Sequence, residues 1–223
     1  MERKFQFSPG EYYHVYNRGT DKRKIFLNKK DYERFQALLY VANDTAPVHF
    51  GNQGRTSVGV FNMPRKSPLV SIGAYCLMPN HFHILIHETK EGGISTFMQK
   101  LSTAYSMYFN KKYERTGALF EGKFKAQHVT DDTYLEYLFS YIHLNPVKLI
   151  DPKWTEGGVI DKEEVKKYLF SYAYSSYLDL LKKFERSASV VLDLETFPDY
   201  FNKPKDFEEF INQWLSIKDE HTL

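Results

Sequence analysis

Between Tyr75 and His87 the chain reads YCLMPNHFHILIH, an apolar run with two histidines at alternate positions. Side chains alternate across a strand, so His81 and His83 point to one face, about 6 to 7 Å apart along the chain, and Phe82 points to the other. Two imidazoles so placed suit a divalent metal, because neutral imidazole is a common metal ligand. The competing account is a buried strand that carries two hydrogen-bonded histidines. A lone histidine would be read that way; His-x-His between Pro79-Asn80 and Ile84-Leu85-Ile86 is read as a site.

Composition bounds the rest. A chain of 223 residues, 42% hydrophobic and 17% aromatic, can bury one good core with a smaller appendage. No apolar run approaches the ~20 residues of a membrane span, and MERKFQFSPG has no apolar signal region, which predicts a soluble cytoplasmic protein with no membrane partner. A single cysteine, Cys76, excludes an internal disulfide and a thiolate cluster, so a metal would have to be held by histidine, carboxylate or amide groups. The net charge of +2 hides an asymmetry: Met1 to Lys30 carries eight Lys/Arg against three Asp/Glu, and Val190 to Leu223 carries three against eight. The basic end is suited to a polyanion, although a solvated face gives the same pattern.

Working outward, Tyr12 to Asn17 is rich in β-formers and ends at Arg18-Gly19, a first strand. Asn28, with Asp31 three residues on, marks a helix start, and Phe35, Leu38, Leu39 and Ala42 keep core spacing over a helix from about Lys30 to Ala42. Residues 43–67 hold three glycines and two prolines and read as a long inserted loop, with a small hairpin at Val58 to Phe61 and basic residues Arg55, Arg65 and Lys66. Leu69 to Met78 and His81 to His87 are the second and third strands, antiparallel neighbours or one strand bent at Pro79. Ile94, Phe97, Met98, Leu101, Ala104, Tyr105, Tyr108 and Phe109 give the strongest helical pattern in the chain. Phe124 to Val129 is a fourth strand and Asp132 to Asn145 another helix, stopped or bent by Pro146. Lys148 to Leu223 reads as short helices, the last from Asp206 to Ile217. The order β, α, β, β, α, β, α predicts an α+β fold of the ferredoxin-like, split βαβ type, its antiparallel sheet covered by helices on one face and free for a ligand on the other. Residues 1–150 would be the catalytic domain and 151–223 a C-terminal helical extension packed on it.

Two histidines are too few for a catalytic metal site. His87 shares their face but lies about 13 Å along the strand from His83, too far to join them on one ion. Leu85 stands where a histidine-triad hydrolase needs its third histidine. The helix before Pro146 offers more: Tyr141 and Asn145 are four apart and share a face, which gives a phenol and an amide oxygen together, while His143 points about 200° away. Against this, Tyr134, Leu138 and Tyr141 also make a packing row. Separately, KKYERTGALFEGKFKAQHV mixes Lys111, Lys112, Arg115, Lys123 and Lys125 with Tyr113, Phe120 and Phe124, charge and rings of the kind that bind single-stranded nucleic acid or line an amphipathic strand.

Asn80-His81-Phe82-His83 looks like the HUH motif, and Tyr141-Ile-His-Leu-Asn145-Pro146-Val147 resembles the nucleophile helix of single-tyrosine HUH transposases. The likeness is to the branch of REP-associated tyrosine transposases and IS200-like enzymes. YHVYNRGTDKRKIF from Tyr13, DYERF from Asp31, MPNHFHIL from Met78, RTGALFEGKF from Arg115 and SYAYSSY from Ser171 agree with it, over roughly residues 10 to 180. The resemblance implies a single-stranded DNA endonuclease and strand transferase in which His81, His83 and Asn145 hold Mg²⁺ or Mn²⁺. Tyr141 attacks the phosphate to give a 5′-phosphotyrosine. It also implies DNA hairpins or palindromic repeats as substrate and a monomer or homodimer as the acting form. Arg18, Lys22, Arg23, Lys24, Arg115, Lys123 and Lys125 are the candidate backbone contacts. The rivals are a non-catalytic nucleic-acid-binding module on the same fold, which would show aromatics rather than histidines on its sheet face, and a metal phosphoesterase for small substrates, which has no need of the basic aromatic segment.

Overall fold

The computed structural model of the chain describes residues 6–48, 57–159, 161–182, 185–201 and 203–216. Arg55 and the expected end of the last helix at Ile217 lie outside them. The elements in order are β1 (Tyr12–Arg18), α1 (Lys29–Val41), α2 (Ser57–Val60), β2 (Ser71–Met78), β3 (His81–His87), α3 (Gly93–Lys112), β4 (Lys125–His128), α4 (Asp132–Leu144), α5 (Trp154–Gly157), α6 (Lys162–Ser171), α7 (Tyr177–Leu180) and α8 (Pro204–Trp214). The four strands form one antiparallel sheet in the order β2-β3-β1-β4. This is the expected α+β, ferredoxin-like layout with C-terminal helices.

β2 and β3 are antiparallel partners, Met78 opposite His81, so only Pro79 and Asn80 make the turn. Proline there leaves no strand hydrogen bond unmade. The turn's carbonyls anchor the chain leaving β1: Gly19 N–H donates to Asn80 O at 2.8 Å and Ile25 N–H to Pro79 O at 2.8 Å. The end of β3 that carries His81 is thereby locked to the end of β1 that carries Arg18.

Period-2 alternation divides the sheet between two cores. Phe82, Ile84 and Ile86 face α1 and α3, packing with Phe35, Leu38, Phe97, Leu101 and Tyr105. Each such side chain contributes about 1.5–3 kcal/mol of burial. α1 begins on a reciprocal cap, Asn28 accepting from Lys30 N–H while Asp31 accepts from the Asn28 N–H. Asp31 is fully buried and also takes Lys112 Nζ at 2.5 Å and Tyr113 Oη at 2.7 Å from the end of α3. That one carboxylate ties the start of α1 to the end of α3.

The opposite face is not free, which corrects the expectation above. Leu135, Leu138, Phe139 and Ile142 of α4 form a second core with Ala74, Cys76 and Leu85 of the sheet and Leu169, Tyr177, Phe207 and Ile211 of the C-terminal helices. An apolar helical stripe on α4 needs a surface to bury against, and this face supplies it. Residues 172–176 also close the outer edge of β2: Leu77 N–H donates to Tyr174 O at 2.9 Å, Ser176 N–H to Tyr75 O at 3.0 Å, and Tyr172 Oη to Leu77 O at 2.7 Å. An open edge is thus capped within the chain. No hairpin forms at Val58 to Phe61: the segment winds into the single turn α2 and sinks Val60 and Phe61 into the first core, Phe61 against Tyr40 at 5.9 Å. Among the described residues no helix is long and apolar enough to cross a membrane.

Burial alone would raise the pKa of Asp31, but the hydrogen bonds from Lys112, Tyr113, the Leu27 amide and Tyr108 outweigh it and hold the pKa below the usual value; that of Lys112 is raised in turn by the same contact, against its own desolvation. A depressed carboxyl stabilises the fold above its unfolded pKa of about 3.9, and a raised ammonium does so below about 10.4. Lys112→Met should therefore cost about 1.5–3 kcal/mol in urea unfolding at neutral pH. The deficit should narrow as pH falls below about 4 or rises above about 10. Equal urea midpoints at pH 7 would mean that the Lys112 contact does not stabilise the fold and that Tyr113 and Tyr108 alone tie α3 to Asp31.

Candidate active site

β3 presents its two histidines on the face covered by α4. His83 is 6% exposed and His81 half-buried at the strand's first position, their ring centroids 5.1 Å apart. Each ring is held through Nδ1. His81 Nδ1 lies 2.7 Å from Asn80 Oδ1, and the Asn80 amide is itself oriented by donating to Lys22 O at 3.2 Å. A carbonyl oxygen only accepts, so His81 bears its proton on Nδ1 and leaves Nε2 bare. His83 Nδ1 lies 2.8 Å from Nε2 of His14, a buried residue of β1, with the rings stacked at 5.0 Å.

Burial, reinforced by the charges of Lys148 and Arg18, lowers the pKa of His81 to about 4. Burial, then the neighbouring His14, His81 and Lys148, takes His83 well below the usual value; burial alone lowers His14 to about 4. All three rings are neutral at pH 7.

α4 brings the other half. The Tyr141 ring stands edge-on to His83 at 5.5 Å and to His14 at 5.7 Å. Its phenol pKa is raised by burial, and the adjacent Asn145 side chain works the other way. Asn145, 3% exposed, donates its amide nitrogen to Tyr141 O at 2.8 Å. It keeps helical dihedrals (φ −52°, ψ −40°) although proline follows, because the chain tightens into a 3-10 turn over Asn145–Leu149 rather than breaking. Tyr141 and Asn145 therefore do share a face, and His143 does point away, its Nδ1 donating to Phe139 O and its Nε2 accepting from Ser176 Oγ, both at 2.7 Å. His87, at the far end of β3, stacks on Tyr12 at 4.7 Å.

The donor set suits a divalent cation. His81, which donates from Nδ1, leaves its Nε2 lone pair to give, and Asn145, whose amide nitrogen is engaged, leaves its carbonyl oxygen. Among the described residues no group of three His, Cys, Asp or Glu is placed to hold a metal, so an ion here would depend on the Asn145 amide beside His81 and His83.

Of the seven basic residues proposed to contact a backbone, three gather. Arg18 is paired with Glu121, Nη2 to Oε1 at 3.0 Å, and Lys22 and Lys125 add their charge to the same carboxylate. Arg23 is half-exposed and bonds Thr20 O at 3.0 Å; Lys24 and Lys123 are exposed. Arg115 stands apart at the end of α3, its Nη1 donating to Asn110 Oδ1 at 2.7 Å.

Sequence reasoning missed His14 and Lys148. His14 was visible only as one residue of YYHVYN, and its role depends on a strand pairing across 69 positions. Lys148, exposed, places its ammonium 5.8 Å from the centre of the Tyr141 ring. One helical turn past Asn145, its spacing from Tyr141 was a usable signal.

No curated protein matches the chain. Among solved structures it is similar to one described as "Structure of the REP associates tyrosine transposase bound to a REP hairpin", at 12% identity over 84% of this chain and 89% of that one, with a TM-score of 0.49. Residues 60–145 match the family described as "Transposase IS200 like". That stretch contains His81, His83, Tyr141 and Asn145, and over it the chain is similar to the IS200-like transposases.

Proposed function

We propose that the chain is a metal-dependent tyrosine transposase that cuts and rejoins single-stranded DNA at hairpins or palindromic repeats. The observation that carries this is the meeting of Tyr141 on α4 with His83 on β3, 5.5 Å between rings, beside His81 and Asn145. On this reading residues 1–150 are the catalytic domain, with 43–67 an inserted loop, and 151–223 an extension packed on it. The chain acts as a monomer or homodimer.

His81, His83 and Asn145 would hold Mg²⁺ or Mn²⁺, which when bound neutralises charge on the scissile phosphate. Tyr141 Oη attacks phosphorus as the bond to the 3′ oxygen breaks. The phenolic proton is lost, the departing 3′ oxygen gains one, and the DNA 5′ end stays on Tyr141 as a phosphotyrosine. One phosphodiester replaces another, so a 3′-OH from a second strand can reverse the step without ATP. A buried phenol is a poor nucleophile. The Lys148 ammonium by the Tyr141 ring is placed to favour the phenolate and the charge that develops on the phosphate oxygens.

With Mn²⁺ and end-labelled hairpin oligonucleotides, wild type should give a covalent protein–DNA band on a denaturing gel. Tyr141→Phe should give none, and His81→Ala, His83→Ala and Asn145→Ala should give little, with hairpin binding kept. If Tyr141→Phe still forms the adduct, the nucleophile is another residue; if wild type binds every hairpin offered and cuts none, the non-catalytic module is the better account. Lys148→Ala should slow adduct formation by about 100-fold, and Lys148→Arg by less. Unchanged rates would make Lys148 a bystander.

Lys123 and Lys125 are exposed, so each should act as a simple phosphate contact. Replacing either with Ala should reduce the slope of log K against log salt by about 0.7 for single-stranded DNA. Arg18 is already neutralised by Glu121, so Arg18→Ala should change the slope less. A larger change for Arg18 than for Lys123 would mean that Glu121 lets go when DNA binds.

A further inference from the structure

We infer that His14 is a positioning residue for His83: it accepts the Nδ1 proton of His83, which keeps that proton off Nε2 and leaves Nε2 bare. The inference rests on the proposed metal role of His83, but the position of the proton can be read without any metal or DNA.

The geometry shows only that the two nitrogens share one hydrogen, 2.8 Å apart and buried. A neutral imidazole has one N–H, so either His83 donates from Nδ1 or it accepts there and carries its proton on Nε2. Only the first leaves Nε2 able to bind a cation. His81 supplies the comparison, because its partner at Nδ1 is a carbonyl oxygen that cannot donate and whose amide is fixed on Lys22 O. His14 does for His83 what Asn80 does for His81, but from another strand. A histidine that donates its second nitrogen to a fixed acceptor is held in tautomer and in ring orientation, and loss of such a partner commonly costs 10- to 100-fold in metal affinity, roughly.

The strand register makes His14 specific for this task. Tyr16, not His14, lies directly opposite His83, and His14 lies opposite Leu85. The His14 ring reaches His83 diagonally, with the Tyr141 ring at 5.7 Å and the Tyr16 ring at 5.1 Å. If His83 donates, His14 must carry its own proton on Nδ1, which gives a second signature.

The test is ¹⁵N–¹H correlation of histidine-labelled, metal-free protein near pH 7, with His83 assigned from His83→Asn. Wild type should show both His83 and His14 protonated at Nδ1. In His14→Leu, which keeps an apolar volume but no acceptor, His83 should shift toward the Nε2-protonated form, and the Mn²⁺ Kd from free-ion EPR should rise about 10- to 100-fold. His14→Gln, whose amide oxygen reaches about as far as Nε2, should restore the wild-type tautomer and most of the affinity. A wild-type His83 protonated at Nε2 overturns the inference, as does a His14→Leu protein that folds and binds Mn²⁺ as wild type does. Wild type that makes no DNA adduct would count against the proposed function alone, since the tautomer decides this point separately.

Discussion

β3 is buried on both faces, and the molecule depends on its doing two unlike things at once. Phe82, Ile84 and Ile86 hold α1 and α3 to one side, while His81, His83 and Leu85 on the other side meet α4. A shift of one residue in its pairing would put imidazoles into the first core and a phenylalanine against Tyr141. That register is fixed twice, by the two-residue turn at Pro79-Asn80 and by the Gly19 and Ile25 amides donating to the turn's carbonyls. The imidazole pair is therefore as rigid as the core on its reverse face.

Burial on the second side sets the electrostatics. α4 and residues 172–176 exclude water from most of this face, which is why His14, His83 and His143 are neutral. His143 shows that burial by itself does not make a site. It is as buried as His83, but both its nitrogens are spent, on Phe139 O and on Ser176 Oγ, and it serves to join α4 to the chain after α6. His81 has one nitrogen engaged and one to give.

What could be read from the sequence was what depends on local periodicity. Alternation placed His81 and His83 on one face, and helical spacing placed Tyr141 with Asn145 and turned His143 away, because each pair sits within a single element. The partners that cross elements were out of reach: His14 on His83, Glu121 on Arg18 and Asp31 on Lys112 depend on pairing and packing between residues 69 to 103 apart. The covered second face was legible in principle. Leu135, Leu138, Phe139 and Ile142 make an apolar stripe on α4 that no exposed helix carries without a surface to bury it on.

Charge gives the last step. Besides Lys148, the side chains shown against Tyr141 are the His14 and His83 imidazoles, the Asn145 amide and the Tyr137 ring, with no carboxylate among them. A carboxylate in Asn145's place would bind a cation more tightly, but it would also repel an incoming phosphodiester in a site largely closed to water. On the proposed mechanism the amide avoids that cost, and the Lys148 ammonium and whatever cation is bound attract the phosphate. Glu121 is occupied by Arg18 and lies close to the charges of Lys22 and Lys125, so its negative charge is largely offset where it stands. On the proposed mechanism a strand that approaches along Lys123 and Lys125 then meets Glu121 already offset.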